Sequence, residues 1–285
     1  MKYSATTVAM PELTMAEQAA MLSRLGFDGV ELRVRRITDE QRAKAEPSGW
    51  GYHVNDVTPE NFAKKAAEIN AILADHGLTL VGVASNAPCT DLEQIKYLVD
   101  GAVAAGQPMI RVGASSGFKA DGSKNYWEIY GETVAGFARV LELTKGTGIK
   151  ILIEMHGNTI HPSASLAYRL ASNFSPDDVG VIYDPQNMVR DGYETISLAL
   201  QLLGPYLAHC HMGAHRPLLG EPDDKGTMQW KWERCGLGDG LFDIPTMMTQ
   251  FQKVGYDGFI SIEDFGSQPI EEKLAIAIAY LKSVE

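Results

Sequence analysis

Short apolar runs alternate with longer amphipathic stretches eight times along this chain. The runs near residues 2–9, 28–33, 78–84, 108–113, 149–155, 179–184, 206–212 and 258–263 predict buried strands. Between them, apolar residues at helical spacing predict helices near 14–25, 58–76, 91–105, 125–147, 163–173, 192–203, 243–254 and 269–283. Strand-then-helix order calls for parallel strands joined by crossover helices. Eight such units closing on themselves make an α/β fold, a (β/α)8 TIM barrel. We expect one domain over 1–285, because no linker or low-complexity stretch divides the chain.

Local signals agree with that order. Thr14-Met-Ala-Glu17 is a capping box, and Thr58-Pro59 puts proline at a first helical position. Phe62, Ala66, Ile69 and Leu73 give the second helix one face to bury. Gly26-Phe-Asp-Gly29 and Gly255-Tyr-Asp-Gly258 suit helix-to-strand turns with glycine in the left-handed region. Two connections, about 34–57 and 213–241, are too long for simple turns. Both follow a strand and precede a helix, which places them on the C-terminal face of a barrel, where active sites are built. The second carries Trp230, Trp232 and Arg234, suited to covering a substrate, packing on the rim or meeting another subunit.

Strand parity then picks out a site. Ile149, Ile151 and Ile153 share one face of the fifth strand, and Leu152, Glu154 and His156 share the other. Val179, Val181 and Tyr183 oppose Gly180, Ile182 and Asp184; Ile260 and Ile262 oppose Phe259, Ser261 and Glu263. The apolar parity suits contact with helices. Glu154, Asp184, Glu263 and the strand-seven His211 lie on the other and should converge above the barrel interior. Buried charges at strand ends are costly unless something uses them. Three carboxylates and one imidazole suit a divalent cation, Mn²⁺ first, with Mg²⁺, Co²⁺ or Zn²⁺ as alternatives.

Composition narrows the partners. The 285-residue chain is 45% hydrophobic, enough for a sizeable core, and its net charge of −11 argues against nucleic acid or an acidic membrane. There is no secretory signal pattern and no apolar run long enough to span a bilayer. Cys89, Cys210 and Cys235 have no metal-type spacing and no even count, which fits free thiols in the cytoplasm. Gly236, Gly238 and Gly240 match no phosphate-loop fingerprint.

The ordered set Gly26-Phe-Asp-Gly-Val-Glu-Leu32, Leu152-Ile-Glu-Met-His156, Tyr183-Asp184, His209-Cys-His211, Gly236-Leu-Gly-Asp-Gly240 and Ser261-Ile-Glu-Asp264 resembles the xylose isomerase-like TIM barrels. These are sugar isomerases and epimerases related to AP endonucleases of the endonuclease IV type. The resemblance implies that Glu154, Asp184, His211 and Glu263 take the four metal positions. It also implies a divalent-metal-dependent isomerase or epimerase acting on a small sugar or polyol-derived ketone through a metal-stabilised enediolate. Glu154 and Glu263 would then also be the acid–base pair on opposite sides of the reacting carbon. Dimers or tetramers are common in such a family, which implies a homo-oligomer.

This chain departs from the pattern at two places. Asn187 stands where many relatives have histidine, and Gly213-Ala214 stands where many have a Lys-Asp pair. Asn187, together with His156, a further candidate acid or base, keeps a metal-dependent lyase or dehydratase open as the alternative. Glu31 is placed to bind a sugar hydroxyl or to pair with Arg33, Arg35 or Arg36. His53, Asn187 and Arg216 are further substrate-binding candidates, His209 is expected below His211, and His161 and His215 are expected at the surface.

Overall fold

Eight parallel strands close into a barrel in a computed structural model that describes residues 1–106, 109–119 and 121–285. The barrel strands are β1 (Lys2–Thr6), β2 (Gly29–Arg33), β3 (Thr79–Ala84), β4 (Met109–Arg111), β5 (Lys150–Glu154), β6 (Val179–Tyr183) and β7 (Leu207–Met212), completed by β10 (Phe259–Ile262). β1 pairs with both β2 and β10, with Tyr3 opposite Ile260, so no barrel edge is left open. The fourth expected strand began at Pro108, which lies outside the described residues.

Alternation sorts the barrel residues into two layers. Ile151, Ile153, Val179, Val181, Tyr183, Ile260 and Ile262 are fully buried and join the helices in one core. Tyr183, for example, meets the ring of Phe251 edge-on at 6.1 Å. Burying each such side chain stabilises the fold by roughly 1.5–3 kcal/mol. The interior layer is filled by the other parity. A Cβ at Gly180 would overlap that of Ala208 and lie 3.1 Å from Leu152 Cδ2, so glycine here is a packing requirement.

The predicted caps form. Glu17 N donates to Thr14 Oγ1 while Thr14 N donates to Glu17 Oε2, opening the helix Met15–Leu25. Pro59 begins the helix Pro59–Asp75, whose Phe62, Ala66, Ile69 and Leu73 are all buried. Gly26 and Gly255 have φ of 81° and 72°, the left-handed conformation expected there.

Three expectations need correction. The helix expected over 192–203 forms over Ile196–Leu203, and a further helix, Pro185–Asp191, precedes it, because Pro185 opens a turn just after β6 and Gly192 ends it. The connection 34–57 contains a short helix, Asp39–Lys44, with its own Thr38 cap. The connection 213–241 is mostly an antiparallel hairpin of β8 (His215–Pro222) and β9 (Met228–Arg234). Its mixed apolar and charged pattern gave no clean period. Among the described residues, no helix is long and apolar enough to cross a membrane, and Cys89, Cys210 and Cys235 are free thiols.

Candidate metal centre and active site

Four donors meet at the C-terminal end of the barrel. Glu154 closes β5, Asp184 directly follows β6, His211 is on β7 and Glu263 directly follows β10. Glu263 N still donates to Met212 O at 2.8 Å, so the ladder fixes its side-chain direction. One donor atom from each residue lies within 4.8 Å of those of the other three, and all four residues are buried. Asp184 is held by its own helix: Oδ1 accepts from Asn187 N at 3.0 Å, and Oδ2 accepts from Asn187 Nδ2.

His211 is fixed from both edges. Nδ1 lies 2.7 Å from Glu154 Oε1 and 3.5 Å from Glu263 Oε1, while Nε2 lies 3.0 Å from Glu31 Oε1. Ser261 Oγ donates to Glu31 Oε2 at 2.8 Å, and His209 Nε2 lies 3.5 Å from the same oxygen. A carboxylate behind a histidine that faces other ligands fixes its tautomer and orientation.

Within this cluster Glu31, Glu154, Asp184 and Glu263 outnumber the cationic groups in contact with them, His211 and Arg111. Burial and the nearby Glu154 raise the Asp184 carboxyl to about 6. Burial, only partly opposed by His211 and reinforced by Glu154, Asp184 and Glu31, raises Glu263 to about 8. Burial alone would lower His211, but Glu263, Glu31 and Glu154 push it well above its ordinary value. Glu154 goes the other way: the Arg111 guanidinium and His211 outweigh burial and hold it down to about 2. A proton on His211 thus offsets carboxylates that a divalent ion would satisfy better. The donor set of three carboxylates and one imidazole fits such an ion.

A cavity of about 200 Å³ opens above these residues. Glu154, Glu263, His156 and Asn187 line it, with Gln186, Ser85, His215, Arg35, Arg111, Arg190, Arg234, Trp50 and Phe265. Trp50 and Phe265 meet at 5.5 Å between ring centroids, and Arg35 lies over the Trp50 ring at 5.2 Å. Gln186 Nε2 is 3.4 Å from Glu263 Oε2. Its carboxamide fills the space beside Gly213, where a Cβ would overlap it and lie 2.7 Å from Glu263 O. A larger groove of about 590 Å³ lies at the opposite end of the barrel, near Lys150, Leu207 and Gly258, away from the donor cluster.

Other sequence candidates stand elsewhere. Glu31 neither faces the cavity nor pairs with Arg33, Arg35 or Arg36, because its oxygens turn to His211 and Ser261. His53 is buried beside the loop that carries Trp50, its Nε2 3.2 Å from Gly49 O; burial and Arg33 lower it to about 3. Arg216 pairs with Glu233 across the exposed hairpin. His161 and His215 are buried, contrary to expectation, and His161 Nδ1 lies 2.8 Å from the Glu154 carbonyl oxygen. Trp230 is exposed and Trp232 packs on the core, so the ring at the mouth is Trp50 instead. Arg111, Arg35, Arg190 and Gln186 went unrecognised in the sequence. Arg35 lies beyond β2 in the connection 34–57, and Arg111 lies on β4, for which no side-chain alternation was read.

Residues 19–284 match the family described as xylose isomerase-like TIM barrel. The chain belongs to that family. Within its fold, a D-psicose 3-epimerase solved with D-fructose superposes with a TM-score of 0.73 at 15% identity, covering 100% of this chain and 99% of that one. The probable 3-DHS dehydratase AsbF of Bacillus anthracis gives 0.73 at 17% identity, covering 99% of each chain. A xylose isomerase-like TIM barrel protein of Mycobacterium smegmatis, solved with magnesium, gives 0.70 at 16%, covering 99% and 96%. At these identities the likeness concerns the fold. Comparison with curated protein sequences gives no match.

Proposed function

We propose that this xylose isomerase-like barrel is a divalent-metal-dependent isomerase or epimerase of a small sugar or polyol-derived ketone. The observation that carries the reading is the convergence of Glu154, Asp184, His211 and Glu263 within one ion's reach beneath a cavity of sugar size. These four residues would hold the ion, for which Mn²⁺ is our first assignment. When bound, it supplies positive charge next to the ketone and so makes the adjoining C–H more acidic.

Glu154 and Glu263 supply the proton transfers. Glu154, kept ionised by Arg111, removes the proton from the carbon beside the carbonyl. Glu263 returns a proton to that carbon from the other side, and the reverse reaction exchanges their roles. Trp50 and Phe265 flank the mouth, while Asn187, Gln186 and Ser85 offer hydrogen bonds to hydroxyls. The sugar epimerases among the structural neighbours support this reading.

His156 favours a second reading, a lyase. It lines the cavity beside Glu154 and could protonate a group leaving the carbon β to the carbonyl. The dehydratase among the structural neighbours supports that possibility. Incubating the Mn²⁺-treated protein in D₂O with ketoses, inososes and 3-keto sugars separates the two. Deuterium uptake without an ultraviolet-absorbing product supports isomerisation, whereas an unsaturated product supports elimination. Neither result across the panel, or turnover unaffected by chelation, overturns the metal-dependent reading.

A further inference from the structure

Eight of the eleven arginines of this acidic chain fall into two environments; of the others, Arg33 is buried and donates to the Gly51 carbonyl oxygen, and Arg169 lies over the rings of Tyr126, Trp127 and Tyr130. On the outer surface, Arg24, Arg36, Arg42 and Arg216 are paired with carboxylates: Glu271; Glu60, Asp91 and Glu93; Asp56; and Glu233. At the mouth, Arg35, Arg111, Arg190 and Arg234 line one small cavity. Arg111 is engaged by Glu154. For Arg35, Arg190 and Arg234, no carboxylate lies within 4.0 Å among the described residues. Arg35 rests on the Trp50 ring, and Arg234 rests on Phe265 at 5.1 Å while Nη1 lies 3.4 Å from the Phe265 carbonyl oxygen.

Three guanidiniums gathered at one recess, none within 4.0 Å of a carboxylate among the described residues, concentrate positive charge there. A neutral sugar needs hydrogen bonds but not this charge, and Ser85, Asn187 and Gln186 already provide neutral donors and acceptors. With a divalent ion in place, the ion and four guanidiniums more than balance Glu31, Glu154, Asp184 and Glu263. The mouth is then positive although the whole chain has a net charge of −11. A recess with charge opposite to its surroundings focuses the field on a small anion.

We propose that the substrate is anionic, with a carboxylate or phosphate taken by Arg35, Arg190 and Arg234 and its ketone turned toward Glu154 and Glu263. The planar guanidinium fork matches the oxygens of either group. Stacking on Trp50 and Phe265 holds Arg35 and Arg234 extended over the cavity before any ligand arrives. The anion would thus fix which carbon lies between the two glutamates. This proposal rests on the isomerase reading for the ketone's orientation, whereas the preference for charge is measurable by binding alone.

Calorimetry of the Mn²⁺-treated protein with D-fructose, D-fructuronate and D-fructose 6-phosphate tests it. At least one anion is expected to bind about 10- to 100-fold more tightly than fructose, as suits hydrogen bonds to a charged group. That advantage should shrink in high salt. Tighter fructuronate binding assigns a keto acid, and tighter phosphate binding assigns a phosphosugar. Arg190→Gln and Arg234→Gln should each remove most of the advantage without changing Mn²⁺ affinity, while Arg24→Gln should change neither. Anion affinity no greater than that of fructose, including no binding at all, overturns the proposal, as does an advantage that survives both mouth substitutions. Failure of Mn²⁺ to bind while the anion preference persists would instead defeat the metal-dependent reading.

Discussion

Glu31 Oε1 lies 3.0 Å from Nε2 of His211, on the ring edge opposite the one that faces Glu154. The histidine is therefore clamped before a cation arrives, and its Nδ1 is directed at the other donors. Glu31→Gln should weaken Mn²⁺ binding by about 10- to 100-fold, as loss of a supporting carboxylate does elsewhere. Metal titration with a competing chelator measures this, alongside circular dichroism to check folding. Unchanged affinity in a folded variant would remove Glu31 from the support of the site.

The metal-free protein should lose stability as pH rises above about 7. Carboxyls with raised values favour the fold when protonated, and that contribution disappears as pH passes about 8 at Glu263. His211, also raised, acts in the same direction. His53 and His161 are lowered to about 3 and about 4, so they give the opposite slope near their ordinary value of 6.5. The clean window is therefore above that value. Thermal melts in chelator should show a Tm falling toward pH 8.5, and Mn²⁺ should raise Tm more there than at pH 6.5. A metal-free Tm that climbs through this window would contradict the charge balance of the cluster.

His156 and Glu263 should separate in their effects. The His156 Nδ1 lies 2.8 Å from the Gly157 carbonyl oxygen, and the residue lines the cavity without joining the donor set. His156→Gln should slow turnover by about 10²-fold, within the range for general acid–base groups, and leave Mn²⁺ affinity nearly unchanged. Glu263→Gln should lower both. Equal loss of metal binding in the two variants would place His156 among the ligands instead.

Two glycines in helices should respond in opposite senses. In Leu92–Ala105, a Cβ at Gly101 would lie 2.6 Å from Phe62 Cγ, whereas one at Gly131 in Tyr126–Thr144 meets nothing within 4 Å. Gly101→Ala should cost about 1–3 kcal/mol by overpacking. Gly131→Ala should stabilise by about 0.5–1 kcal/mol through helix propensity. Urea unfolding measures both. A stabilised Gly101→Ala would mean that Phe62 can move away freely.

The contrast between what was legible in the sequence and what was not follows the periodicity. Glu154, Asp184 and Glu263 each end an apolar run whose alternation determines the side they face, so their convergence could be read without coordinates. Arg111 ends β4, whose described residues are Met109–Arg111, and no acidic or apolar alternation there marked it out. Trp50 and Arg35 reach the mouth through an irregular segment, and Glu31's partners depend on pairings across the barrel that no local spacing encodes. His161 was misjudged because a loop histidine can fold back onto a strand carbonyl, here that of Glu154.

Gly213 links two positions that are far apart in the chain. Any side chain there would collide with Gln186, the carboxamide that touches Glu263, and with the Glu263 backbone itself. Replacing this glycine by lysine would require a smaller residue at position 186 and a shift of the neighbouring backbone. A change at this rim therefore calls for a paired change, and the first of the pair, made alone, would dislodge the side chain that touches Glu263.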